Sequence, residues 1–160
     1  MKTLRIGCGA GYSGDRIEPA LELAEHGDLD YLVFECLAER TIALAQQARM
    51  KDPALGYDPL LEARMLAVLK PCADRGIKII TNMGAANPLA AAAKTRQIAV
   101  SLGLGHLKIA AITGDDVLEQ LRQGDYLDDT GEPVAALGNR LLSANAYLGA
   151  QPLVDALAQG

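Results

Sequence analysis

The sequence has no basic run. Its 15 Lys and Arg are scattered among 20 Asp and Glu, for a formal net charge of −5, so nothing offsets the cost of approaching a polyanion and nucleic acid is not an expected partner. It also lacks any unbroken apolar stretch of about 18 residues, so no membrane span is expected. The opening MKTLRIGC looks superficially like a secretory or lipoprotein leader, but Arg5 and the glycines leave no continuous apolar core for one, and a cytoplasmic location is the expectation. Cysteine is sparse: Cys8, Cys36 and Cys72 are odd in number, widely spaced and without a C-x-x-C. That argues against a disulfide framework or a zinc site, fits a reducing compartment, and makes each a small buried hydrophobe. No Ser/His/Asp triad, Walker lysine or metal-spaced histidine pair occurs, and no metal is expected. There is no internal repeat, and the only low-complexity tract is Ala90 to Ala93.

What is present is ordinary globular composition, 50% hydrophobic and 22% charged, which predicts a single domain over residues 1–160. The organising stretch is Leu4 to Gly14, LRIGCGAGYSG: a short β-type run, a glycine cluster, then an amphipathic helix. Gly9, Gly11 and Gly14 match G-x-G-x-x-G. That spacing serves either of two ends. It can cradle a phosphate at a helix N-terminus, or it can make a tight βα turn with close helix–sheet packing. Asp15, with Glu18 three residues on, is placed to cap the helix, which Gly27 ends. His26 lies in its last turn, where it serves helix termination.

The run from Asp30 to Cys36 is nearly continuous in apolar residues and predicts a second strand, buried on both faces. Helices are predicted over Leu37 to Met50 and, after the Asp58-Pro59 turn, over a face formed by Leu61, Met65, Leu69 and Cys72. A third strand, Ile77 to Asn82, leads to Asn87-Pro88 and a helix reaching about Leu102. Leu107 to Thr113 and Leu141 to Tyr147 are predicted as the fourth and fifth strands, with a short helix from Asp116 and a last one from Gly149. His106 reads as a loop histidine, and Asp125 to Gly138 as a surface loop or mobile flap. The expected fold is therefore α/β, a doubly wound, mainly parallel five-stranded sheet with helices on both faces, Rossmann-like.

In such a sheet the ligand crevice lies outside the carboxyl ends of the strands. Five polar segments converge there on this reading: Gly9 to Asp15, Glu35 to Glu39, Thr81 to Pro88, Thr113 to Asp116 and Ser143 to Gly149. Asp15, Asn87 and Asp116 double as helix caps, whereas Asn82, Ser143 and Asn145 precede any need for a cap and can bind a carboxylate or carbonyl. Glu35 follows the last glycine by about 20 residues, where a dinucleotide fold places the acid that binds a ribose. It can equally act as an acid or base on the rim.

The segments GAGYSGDRIEPALELAEHGDLDYLVFECLAERTIALAQ, TNMGAANP, TGDD and SANAYLGA, in that order, resemble the N-terminal part of the acyclic terpene utilisation protein family, domains of unknown function. The resemblance covers nearly the whole chain. It implies a bacterial or fungal cytoplasmic protein of branched or isoprenoid acid catabolism, working through acyl-CoA intermediates, and it implies that the chain is the N-terminal portion of a longer family domain. Its motif positions are Gly9, Gly11, Ser13, Gly14, Asp15 and Arg16, then Glu35, Asn82, Gly84, Asn87, Gly114, Asp115 and Asn145. The expectation that follows is a hydratase or lyase step on an acyl-CoA or branched carboxylate. The glycine loop and Arg16 would hold the anion, and Glu35 or Asp115 would move a proton. A CoA thioester is the implied substrate, with an NAD(P)- or flavin-binding module as one alternative and a non-catalytic subunit or fragment as another. The expected partner is a small anionic molecule; a homo-oligomer, or a C-terminal part that completes the site, is left open.

Overall fold

The computed structural model describes residues 3–160, as two compact units that meet in sequence between Ala111 and Ile112. In the first, β1 (Ile6–Ala10), α1 (Glu18–His26), β2 (Tyr31–Phe34), α2 (Glu39–Lys51), α3 (Leu61–Arg75), β3 (Lys78–Thr81) and α4 (Pro88–Ser101) follow in order. The strands form one parallel sheet in the order β1-β2-β3, with Gly7 beside Leu32 and Leu32 beside Ile79. A register shift between Cys8 and Ala10 bends β1 as it enters the glycine cluster.

Period-two alternation sorts this sheet into two faces. Leu32 and Phe34 are buried together with Gly7 and Gly9, whereas Ile6 and Cys8 are exposed and Tyr31 and Val33 only half-buried. The buried face joins a core made by Ala20 and Ala24 of α1, by Leu61, Met65, Val68, Leu69 and Cys72 of α3, and by Ala91, Ile98 and Ala99 of α4. Helix α3 lies between α1 and α4. Helix α2 adds only Ala45 as a buried residue, and that residue stands outside the core cluster.

The expected five-stranded doubly wound sheet is not formed. The sheet has three strands; among the described residues Leu107–Thr113 joins no ladder, and Leu141–Tyr147 makes only the isolated antiparallel bridge of Asn145 with Asp116. Composition accounts for much of this. Ser143, Ala144, Asn145 and Ala146 are poor strand formers, and Ala110 and Ala111 dilute the other segment. Leu107 and Ile109 still rest against the core by their side chains, so that segment buries apolar surface without joining a ladder.

The second unit, Ile112–Gly160, holds α5 (Leu118–Gln123), a kinked 3-10 segment (Val134–Arg140) and α6 (Gln151–Ala158). Leu118 is its one buried apolar residue. No helix among the described residues is long and apolar enough to cross a membrane.

Candidate functional site

In the first unit the loops that leave β1, β2 and β3 share the carboxyl end of the sheet. The glycine cluster does not run straight into a helix: α1 begins at Glu18, with Ile17 at its N-cap and no side-chain cap. Asp15 caps the loop instead. Its Oδ2 accepts from the Gly11 N–H at 3.0 Å and its Oδ1 from the Arg16 N–H at 2.9 Å. Those two bonds hold its pKa below the usual carboxylate value of 3.8. The Gly11 N–H is thus already paired with a carboxylate. Gly9 lies so close to Phe34 that an added Cβ would sit 2.7 Å from the ring, whereas a Cβ on Gly11 would meet open space. Of the glycines in the motif, Gly9 is required by packing. Gly14 would bring a Cβ to 3.1 Å from the Tyr12 ring, and the Arg16 side chain is exposed.

Beneath this loop lies Arg64, completely buried, on the core-facing side of α3. Its Nη2 donates to the Ser13 carbonyl at 2.8 Å and the Asp15 carbonyl at 3.1 Å, with the Tyr12 carbonyl at 3.4 Å. Its Nη1 reaches Asp58 Oδ1 at 3.3 Å, Cys36 Sγ at 3.1 Å and Met83 Sδ at 3.6 Å. One guanidinium therefore ties together the segments that follow all three strands. Asp58, itself buried, accepts from Ser13 Oγ at 2.5 Å and from the Leu60 N–H at 2.8 Å, and its own N–H donates to the Met83 carbonyl. The Nε of Arg64 is buried with no partner among the described residues. Burial pushes the Cys36 thiol up to about 11 against the pull of Arg64, so it is not a ready nucleophile at neutral pH.

Above this base Glu35 is exposed, just past β2. Its Oε1 accepts from Asn82 Nδ2 at 2.8 Å and from the Leu37 N–H at 3.1 Å. Asn82 Oδ1 accepts from the Cys36 N–H at 2.7 Å, so this amide clamps the ends of β2 and β3 and orients the carboxylate at once. The other oxygen of Glu35 has no hydrogen bond among the described residues. Asn87 is committed elsewhere: it caps α4 by accepting from the Ala90 N–H, and its Nδ2 donates to the carbonyls of Pro53 and Leu55 at 2.9 and 2.7 Å. A Cβ on Gly84 would lie 2.9 Å from Pro88 Cα, so this glycine permits the close turn. Ala85, between these two, is held at φ +45, a left-handed conformation that costs an alanine free energy.

The family model described as Acyclic terpene utilisation family protein AtuA matches residues 4–160. The chain belongs to this family. No curated protein sequence and no solved structure gives a match.

The remaining motif residues of this family member lie in its second unit. Asp115 Oδ2 accepts from Asn145 Nδ2 at 2.9 Å, beside the Asp116–Asn145 bridge, and the Asp115 carbonyl accepts from the Ala146 N–H. Gly114 sits at φ +113, which a side chain would resist. Each unit thus contains one carboxylate oriented by an asparagine amide. Among the described residues no three His, Cys, Asp or Glu side chains gather to hold a metal ion. The sequence reading missed Arg64 and assigned Asp58 only a cap. The signal was there: Leu61, Met65, Val68, Leu69 and Cys72 mark the apolar face of α3, and Arg64 falls on it at i+3 from Leu61 and i−4 from Val68.

Proposed function

We propose that this member of the acyclic terpene utilisation family is a cytoplasmic catabolic enzyme that binds an acyl-CoA or a branched carboxylate at the strand-end rim, for a hydratase or lyase step in which Glu35 moves the proton. The observation that supports this reading is the Glu35–Asn82 pair: an exposed carboxylate fixed through one oxygen, with the other available to a substrate. A general base needs this kind of placement before it needs a tuned pKa. In the elimination direction, the free oxygen takes the proton α to the carbonyl. The C–H electron pair becomes the double bond, and Glu35 hands the same proton to the β-hydroxyl, which leaves as water. Addition is the reverse. Asp115, oriented by Asn145, is the alternative proton carrier. Contact with the anionic group falls to Arg16, because Asp15 already holds the Gly11 amide. For the same reason the NAD(P) or flavin reading has less support: a carboxylate already accepts from an amide of the glycine loop.

The test is hydration of branched enoyl-CoA thioesters, followed by the loss of enoyl absorbance, in the purified protein and in Glu35→Gln. Turnover should fall at least about 100-fold with little change in KM. Full turnover in Glu35→Gln removes Glu35 from the chemistry, and the same assay on Asp115→Asn then decides whether Asp115 carries the proton.

A further inference from the structure

A groove on the first unit lies between the middle of α4 and the segment Gly105 to Ile109. It is lined by Gly105, by Leu107 and Ile109, half-buried against the core, and by the side chains of Arg96, His106 and Lys108. None of the residues that line it is acidic, in a chain whose formal net charge is −5. Arg96 is anchored there: its Nη1 donates to the Leu107 carbonyl at 2.8 Å, which steadies the exposed guanidinium at the groove. Arg96 lies nine residues beyond Asn87, roughly 13 Å along the helix from the rim. This is a different place from the Glu35 site.

We propose that this groove binds the phosphate group of an organic phosphate. A planar guanidinium matches two phosphate oxygens at once, Lys108 adds a second positive charge, and the apolar residues accept the body of the ester. Because all three basic residues are exposed, the attraction is screened by salt.

Backbone amide shifts of the isotopically labelled protein test this, with inorganic phosphate, coenzyme A and dephospho-coenzyme A as probes. Coenzyme A should move the Gly105, Leu107 and Ile109 amides. Arg96→Gln with Lys108→Gln should weaken binding at least tenfold while the circular dichroism spectrum stays that of the parent. Arg96→Lys, which keeps the charge and loses the fork, should fall between. Dephospho-coenzyme A as strong as coenzyme A assigns the groove to the diphosphate, and a weaker response assigns it to the 3′-phosphate; either supports the proposal. Inorganic phosphate acting where neither coenzyme A nor dephospho-coenzyme A does marks an adventitious ion only and overturns the proposal. Silence of these amides with all three probes, or an unaltered affinity in the double variant, overturns it. Coenzyme A that shifts only the Glu35 region does the same and leaves the proposed function standing.

Discussion

Removing the Arg64 guanidinium would strand Asp58, whose carboxylate is 3% exposed, and would leave three loop carbonyls without their donor. Losing one member of a buried ion pair costs about 3–5 kcal/mol, and Arg64→Met should lose stability on that scale in urea unfolding. Arg64→Met combined with Asp58→Asn should recover part of it, because no unpaired charge remains; a purely additive double variant would mean that the two side chains do not act as a pair. Asp15 makes a different prediction. Its folded pKa is depressed, so its contribution is complete above the unfolded value of 3.8 and is lost as pH falls through the lower folded value. Asp15→Asn should therefore lower stability at neutral pH and flatten the acid limb below about pH 4, which a series of thermal midpoints against pH reads directly. At this scale the sequence was partly legible. Glu35 and Asn82 were singled out as strand-end groups, and the structure joins them by a hydrogen bond. Ser13, Asp58 and Arg64 are separated by up to 51 residues, and no local pattern announces that their polar atoms meet.

Among the elements, the glycine cluster can be dissected by two single-methyl changes. Gly9→Ala pushes a methyl into the Phe34 ring, and overpacking of this kind costs about 1–3 kcal/mol. Gly11→Ala meets open space and should leave the unfolding midpoint nearly unchanged, so any loss of ligand binding there would report on the loop rather than the fold. Helix α4 has its own test. Asn87→Ala removes an N-cap and two bonds to the Pro53 and Leu55 carbonyls, for a loss of about 2 kcal/mol with faster amide exchange confined to the first turn. The elements that were readable in advance carried local punctuation: Asn87-Pro88 before α4, Gly76 after α3 in a left-handed conformation, and the apolar run of β2. The fourth and fifth strands were not, because a strand exists only when a neighbour completes its ladder. Leu107 to Thr113 has strand-like side chains, yet β1 pairs with β2 alone.

For the molecule as a whole, burial is concentrated before residue 112, while the residues after it bury one apolar side chain, Leu118. Local opening should follow that division. In native-state hydrogen exchange the amides of Leu32 to Phe34 and of central α3 should be the slowest. Those between Asp125 and Glu132 should exchange first, and limited proteolysis should cut there before it cuts the first unit. Comparable protection in the two units would contradict this. The Arg64 anchor also sets an order in time. During synthesis the glycine loop leaves the ribosome about 50 residues ahead of the one side chain that binds the carbonyls of Tyr12, Ser13 and Asp15, and Met83 follows later still. A nascent chain halted at residue 60 lacks the donor for those carbonyls, so the segment that comes first in the sequence cannot take its final form until α3 has been made.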